Sequence, residues 1–378
     1  MANVNRVLVV GGGVGGLSLG ISLGQIGIRA EIVEIQPYYN VYGVGIIQPS
    51  NQLRALGELG AADKCMELGS VIPTFYLCTP DGHVFMEATT PPLGRFPANN
   101  GIPRNVLHNI LLEAALAHGA TVRLGTTVQA MENHADGVNV TFTDGTTGAY
   151  DLVIGADGIH SVIRRMIFGD AHKPQYLGQS VWRAVVKRPA GAEAGYWYYG
   201  KHSKTGLVPM TRDTMYLALV SMEGDNPRIA DDELLPRFRA HFQEYSAPFI
   251  QETLAQITDG KQLVYRPLET LLMPNPWYVN RALLIGDAAH GTAPQLGQGA
   301  SIATEDAVVL AQELQHSDSV ETALQNFMTR RFERCKMIVD VSKTLVEWEK
   351  EEWLGIAPPN PEYGPTMGQT LGKMMQPI

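Results

Sequence analysis

Apolar and polar positions alternate along this chain with periods that change from region to region. Arg6 to Val10 is a short apolar run cut off by glycines, the pattern of a strand buried on both faces. Helical spacing follows: Leu19, Leu23 and Ile26 recur on one face, and Gly20 and Gly24 permit close packing until about Gly27. A second strand from Ala30 to Ile35 completes a βαβ unit. Thr74 to Glu87 and Gln179 to Met222 are rich in Val, Tyr, Trp and Thr and broken by turns at Asp81-Gly82 and Arg212-Asp213, so both predict sheet. Between them, Asn105 to His118 predicts a helix ended by Gly119. Thr121 to Val153 then alternates strands with the turn pairs Asp136-Gly137 and Asp144-Gly145. Arg281 to Ile285 predicts another buried strand, and Ala303, Ala307, Leu310 and Leu314 give a helix an apolar face. The Pro- and Gly-containing stretch from Leu354 onward is expected to wrap the surface.

The 378 residues are enough for two lobes, and the chain leaves the first lobe and returns to it. With 45% hydrophobic and 18% charged residues there is ample material for a core and no tendency to disorder. A net charge of −9 without a basic run argues against nucleic-acid binding. The N-terminal apolar run falls far short of the ~20 residues of a spanning helix. Cys65, Cys78 and Cys335 are scattered without C-x-x-C spacing, so a reducing cytoplasm is expected and a sulfur-held metal is not.

Three glycine-containing motifs carry the candidate chemistry. In Gly11-Gly12-Gly13-Val14-Gly15-Gly16, Gly11 allows the tight turn, Gly13 lets the backbone approach a pyrophosphate, and Gly16 lets helix and strand pack closely. Glu34, 23 residues after Gly11 at the end of the second strand, suits the ribose hydroxyls of an ADP moiety. This motif alone does not separate FAD from NAD. The second motif is Gly155-Ala156-Asp157-Gly158 with Arg164 beyond it. The third runs from Gly286-Asp287 through His290, Pro294, Gly297 and Gly299 into the helix holding Asp306. Taken singly, Asp157-Gly158 reads equally well as a hairpin turn, and Gly286-Asp287 as the end of any buried strand.

In this order the three motifs resemble the flavoprotein aromatic hydroxylases of the para-hydroxybenzoate hydroxylase type, over residues 11 to 306. The resemblance implies an α/β fold: a Rossmann-like FAD-binding domain of G-x-G-x-x-G type with an interleaved mixed β-sheet substrate domain and a C-terminal helix. The FAD-binding domain is expected from 1–71, 100–175 and 265–335, the substrate domain from 72–99 and 176–264, and a C-terminal helix and tail from 336–378. The resemblance also implies non-covalent FAD, with Asp287 on the ribityl chain and Asp157, Gly158 and Arg164 serving FAD and NAD(P)H together. Arg104, with Leu107 behind it, resembles the family's R-x-x-L and would contact the FAD phosphate and ribityl region. Gly43-Val44-Gly45 resembles the loop beside the flavin ring, and Val128 is assigned to the same cofactor surface. The turn at Gly297 and Gly299, opening a helix with Ala300 and Ser301, would aim backbone N–H groups and a positive helix end at the flavin pyrimidine, where negative charge develops on reduction. Ser301 stands where the family often has Asn.

No second G-x-G-x-x-G follows a later strand, so NAD(P)H is expected to dock transiently, reduce the flavin and leave. The implied reaction hydroxylates a small phenolic or N-heteroaromatic ring with O2 through a flavin C4a-hydroperoxide. The alternatives are a flavin oxidase or reductase of the same fold and a non-catalytic flavin sensor. Tyr216 is the candidate to hydrogen-bond the ring or relay its proton, though an ordinary half-buried sheet tyrosine fits the same pattern. Pro294 resembles the proline that borders the flavin. His202 and Arg183 are candidates for a substrate carboxylate, with surface roles favoured for both. The protein is expected to act as a monomer or homodimer.

Overall fold

The computed structural model describes residues 2–39 and 44–378. The chain begins with β1 (Arg6–Val10), α1 (Val14–Gln25), β2 (Arg29–Glu34), β3 (Gly45–Pro49), α2 (Ser50–Glu58), α3 (Ala62–Leu68) and β4 (Ser70–Val71). A hairpin, β5 (Thr74–Cys78) and β6 (Val84–Thr89), precedes β7 (Asn99–Pro103) and α4 (Arg104–Ala117). The strands β8 (Thr121–Leu124), β9 (Val128–Asn133), β10 (Val138–Phe142), β11 (Thr147–Tyr150) and β12 (Leu152–Gly155) lead to α5 (Val162–Phe168). Four further strands follow: β13 (Gln175–Lys187), β14 (Gly195–Tyr199), β15 (Ser203–Pro209) and β16 (Thr214–Met222). Then come α6 (Asp231–Ala240), α7 (Pro248–Leu254), β17 (Val264–Thr270), β18 (Tyr278–Val279), β19 (Ala282–Leu284), α8 (Asp287–His290), α9 (Gly299–His316), α10 (Val320–Trp353) and α11 (Tyr363–Met374).

One sheet has the order β18-β19-β12-β1-β2-β8, and all its pairs are parallel except β18 with β19. Helices cover it, so Val7 to Val10 and Leu152 to Ile154 are buried on both faces. Close approach explains two glycines of α1: a Cβ on Gly16 would lie 2.0 Å from the Gly11 carbonyl oxygen, and one on Gly24 would lie 2.2 Å from that of His118. The second sheet has the order β17-β13-β16-β15-β14-β5-β6. On one of its faces Trp182, Ala184, Met215, Leu217 and Leu219 form a core with Phe238, Phe242 and Ile250 from α6, α7 and the turn between them. Alternation sends their neighbours the other way, toward the first half of the molecule, where Tyr216 and Ala218 pack with Ile72 and Ile47.

Four sequence expectations need correction. The stretch after Leu354 contains α11, although Gly364, Gly368 and Gly372 each weaken a helix by about 1 kcal/mol. Packing outweighs propensity there: Met374 is fully buried, and Arg54 and Arg334 donate to carbonyls at the end of α11. The expected break at 335/336 falls in the middle of α10, a continuous helix of 34 residues. β17 belongs to the second sheet rather than to the FAD-binding half, pairing with β13. Finally, the β-sheet domain expected over 176–264 also holds two helices, α6 and α7, which cover one face of its sheet.

Candidate active site

The three motifs start level with one another. β1, β12 and β19 are adjacent parallel strands, with Val10 paired to Gly155 and Gly155 to Leu284, so Gly11, Asp157 and Gly286 all emerge at one carboxyl edge. That edge is where open α/β sheets bind ligands.

At the first turn, Gly11 has φ +108° and its N–H donates to the Val33 carbonyl at 2.8 Å. Gly13 has nothing within 4 Å of an added Cβ, and α1, which begins with Val14, Gly15 and Gly16, has neither a side-chain cap nor an acid in its first turn. The helix end therefore keeps free N–H groups for an anion. Glu34 accepts from the Gly12 and Gln36 N–H groups at 2.9 and 3.0 Å. His108 Nε2 lies 2.9 Å from the Gly12 carbonyl, and Tyr39 packs on its ring with centroids 4.2 Å apart. Burial, with the Glu34 charge, pushes the Tyr39 phenol up to about 12. Val128 is buried at the head of β9. Of the loop expected beside the flavin, Gly43 lies outside the described residues, whereas Gly45 opens β3 directly beneath Tyr216: a Cβ there would lie 2.0 Å from Tyr216 Cδ1.

At the third motif, Gly286 has φ +59° and Asp287 opens α8. Asp287 is reached by solvent although dense protein surrounds it. Burial raises its pKa, opposed by the charges of His290 and Arg104. A three-residue helical turn starts at Pro294; Gly297 (φ +65°) ends it, and α9 opens at Gly299 without a side-chain cap. Among the described residues the buried Ser301 hydroxyl has no hydrogen-bond partner. A free carboxylate, two uncapped helix starts and an orphan hydroxyl at one sheet edge fit a cofactor with a pyrophosphate, a polyol chain and a polar ring. Arg104 heads α4 between the two sheets, and its charge is felt by Asp287, Arg183 and Tyr216 alike.

The second motif is built as a helix cap and a clamp. Asp157 accepts from the Ser161 hydroxyl at 2.5 Å and from the Val162 and Ile163 N–H groups at 2.6 and 3.2 Å, so it caps α5. Gly158 takes φ +77° in the turn. Arg164 spends its guanidinium on the carbonyls of His172, Ala288 and Ile159 at 3.2, 3.0 and 2.7 Å. The bond to Ala288 ties this motif to the Asp287 turn. Arg164 is thus a clamp between two motifs.

On the second sheet, Arg183 pairs with Ala218 and Val185 with Tyr216, which puts Arg183 and Tyr216 on one face as diagonal neighbours. Arg183 is half-buried there, not fully exposed. Among the described residues it makes no hydrogen bond and has no carboxylate partner. Burial, with repulsion from Arg104, lowers its pKa to about 10, and burial pushes the Tyr216 phenol up to about 12 against the pull of Arg183 and Arg104. His202 does not join them. Its ring lies 2.9 Å from the Trp353 carbonyl, six positions along from Val208, the partner of Tyr216, or roughly 20 Å away. A surface cleft of about 1110 Å³ at Lys187–Glu193 and Arg212–Thr214 contains no motif residue, so the convergence of motifs locates the site instead.

Two buried polar clusters escaped the sequence reading. Asp306 meets His290 and Arg331, and Glu305 meets Arg331 and Arg334. Elsewhere Lys204 and Tyr363 meet Glu349, which also accepts from Gln179 and from Gln295 beside Pro294. The one signal in the sequence is the apolar stripe Phe327, Arg331, Cys335, Ile338, Ser342, Leu345, Glu349, in which a charge occupies a core position twice.

A largely parallel sheet with three glycine turns at its carboxyl edge, facing a mixed sheet across Arg104 and Asp287, defines a flavin-dependent aromatic hydroxylase. The chain belongs to the family described as FAD binding domain, which matches residues 5–342. It is 31% identical over 310 residues to the 2-heptyl-3-hydroxy-4(1H)-quinolone synthase of Pseudomonas aeruginosa, covering 81% of this chain and 80% of that one. It is 31% identical over 350 residues to the FAD-dependent urate hydroxylase of Mycolicibacterium vanbaalenii, covering 88% and 86%. The fold matches that of Klebsiella pneumoniae HpxO complexed with FAD and uric acid, with TM-score 0.85 and 23% identity over 98% of this chain and 95% of that one. The chain is accordingly an FAD-dependent monooxygenase of the aromatic-hydroxylase type. Among the described residues no helix is long and apolar enough to cross a membrane.

Proposed function

We propose that this monooxygenase hydroxylates a small aromatic ring that carries an acidic oxygen, of phenolic or N-heteroaromatic type, using NAD(P)H and O2. The observation that carries this reading is the pair Arg183 and Tyr216 on the sheet face that looks toward Arg104 and Asp287. The names of the quinolone and urate relatives denote N-heteroaromatic rings, in line with it.

Bound FAD supplies reduction by the nicotinamide and activation of O2 for transfer of one oxygen atom. Glu34 and the free N–H groups of α1 would hold its ADP half, Asp287 and Arg104 its ribityl and phosphate region, and the start of α9 its pyrimidine ring. Arg183 keeps its proton at neutral pH and favours the deprotonated, electron-rich form of the substrate oxygen. Tyr216, with its pKa near 12, stays protonated and donates a hydrogen bond to that oxygen rather than accepting its proton. Pro294 would border the same space from the α9 side, where its neighbour Gln295 donates to Gln179 of β13 at 3.0 Å.

The test is NADH and NADPH oxidation by the FAD-loaded enzyme with urate, a 4-quinolone or a hydroxybenzoate. Oxidation is slow without a substrate and accelerates with the right ring. Fast oxidation indifferent to every ring, with stoichiometric peroxide, identifies an oxidase, and no oxidation at all identifies a sensor.

A further inference from the structure

The buried cluster behind α9 joins the two turns that face the cofactor. Asp306 Oδ2 accepts from the Gly286 N–H at 2.9 Å and lies 2.6 Å from His290 Nε2, while Oδ1 accepts from Arg331 Nε at 2.8 Å. Gly286 immediately precedes Asp287, so this carboxylate sets where Asp287 stands. Glu305 Oε2 accepts from Arg331 Nη1 and Arg334 Nε, both at 2.8 Å, and its Oε1 accepts from Asn51 at 3.2 Å. Asn51 also donates to Gln298 at 3.0 Å, and Gln298 lies between Gly297 and Gly299. A further Arg331 nitrogen donates to the Ile302 carbonyl in the first turn of α9 at 3.1 Å. Arg331, Glu305 and Asp306 are wholly buried.

We propose that Arg331 is a positioning residue for the flavin: through Asp306 and Glu305 it locks together the Gly286–Asp287 turn and the Gly297–Gly299 turn. Neither metal binding nor stability alone accounts for the cluster as well. His290, Asp306 and Cys335 converge as metal ligands can, but the Arg331 guanidinium takes that space, 2.8 Å from Asp306 and 3.4 Å from Cys335 Sγ. As a device for stability the cluster is poor, because a buried ion pair recovers little more than its desolvation cost. Its geometry instead addresses the cofactor turns at three points: the Gly286 N–H, the Gln298 side chain and the Ile302 carbonyl.

The charges matter as well as the bonds. Glu305 and Asp306 lie about two turns into α9, roughly 10 Å from its start. Unneutralised, they would oppose the positive helix end that faces the flavin pyrimidine. Arg331 and Arg334 cancel them, and Arg334 also donates to the Met374 carbonyl at 2.8 Å, so α11 is tied into the same cluster.

The experiment measures FAD affinity and the flavin midpoint potential of the holoenzyme in Arg331→Gln, Arg331→Lys and Asp306→Asn. Arg331→Gln is expected to bind FAD about 10- to 100-fold more weakly, the scale on which outer partners of a bound group act. Its potential should move more negative, while Arg331→Lys restores part of both. Asp306→Asn, which removes a negative charge and keeps the shape, should move the potential the opposite way. A scaffold without electrostatic reach would shift both potentials in one direction or neither, and that result overturns the proposal. So does a folded Arg331→Gln protein with wild-type affinity and potential. If Arg331→Gln does not fold, the opposed shifts are sought between Asp306→Asn and Arg331→Lys, and their absence overturns the proposal equally.

Discussion

Arg331 is wholly buried and Arg183 half-buried, and the two differ further in the groups they meet. Arg331 meets two carboxylates and a carbonyl, with each of its three nitrogens donating. Arg183 shares a sheet face with Tyr216, has no carboxylate partner among the described residues, and feels the further positive charges of Arg104 and Arg266. A saturated guanidinium holds a fold or a cofactor turn in place. One left without an acid is, on the function proposed above, held there for a ligand that brings the negative charge.

The substitution expected to do most lies on the cofactor side of this contrast. Asp287→Ala should weaken FAD binding by about 100-fold or more, since a charge-assisted contact is lost from a site with no substitute. Flavin fluorescence titration of the apoprotein measures it, and unchanged affinity would place the ribityl chain elsewhere. Next, Tyr216→Phe should lower substrate-coupled turnover by about 10²-fold with FAD content normal, the scale on which losing one hydrogen-bond donor to a charged oxygen acts. Equal turnover in product assays would make Tyr216 an ordinary sheet tyrosine. Arg183→Met sharpens the comparison further: coupled turnover should fall about 10- to 100-fold, mainly through KM. Its melting temperature should not drop, because no favourable partner is removed. A variant that melts much lower while KM stays fixed would move Arg183 into the class of Arg331.

Acid should act on the saturated site. Burial alone would raise the Asp306 pKa, but His290 and Arg331 outweigh it and hold the carboxyl below its ordinary value. A lowered folded pKa gives stability that is present above the unfolded value of about 3.9 and lost as pH falls through the folded one. For His290, burial would lower the pKa, but its contacts with Cys335 and Asp306 raise it well above the ordinary value. Its contribution is full below about 6.5 and lost only as pH rises through the folded value. FAD release followed against pH should therefore begin below about pH 4 and be suppressed in Asp306→Asn. The smallest effect expected is that of His202→Ala, which should leave product formation within about twofold, because its ring serves the end of α10.

Much of the fold could be read because its elements are local. The β1–α1–β2 unit, the hairpin turn at Asp81-Gly82 and the helix from Arg104 each carry their own period and punctuation. The cofactor edge was legible for the same reason: each motif is a strand followed by a glycine turn, and only the pairing of β12 with β1 and β19 had to be supplied by the fold. What escaped is non-local. Arg331 finds Glu305 across 26 positions and two helices, and Glu349 finds Lys204 across 145. No spacing rule reports such pairs; only a charge within an apolar stripe hints at them. α11 escaped because its glycines argue against a helix that Arg54 and Arg334 hold from outside. Arg183 reads as a surface residue in the sequence because an isolated charge in a strand usually points to solvent, and which face is covered is a tertiary fact.

The most direct test of oxygen insertion at the Arg183–Tyr216 face uses isotope-labelled oxygen. FAD-loaded enzyme, NAD(P)H and 18O2 are incubated with urate, a 4-quinolone and a hydroxybenzoate, and products are examined by mass spectrometry. One labelled oxygen atom should enter the accepted ring, and the yield per nicotinamide oxidised should collapse in Arg183→Met and Tyr216→Phe. Nicotinamide oxidation that yields only labelled peroxide with every ring, unaltered in both variants, would contradict it.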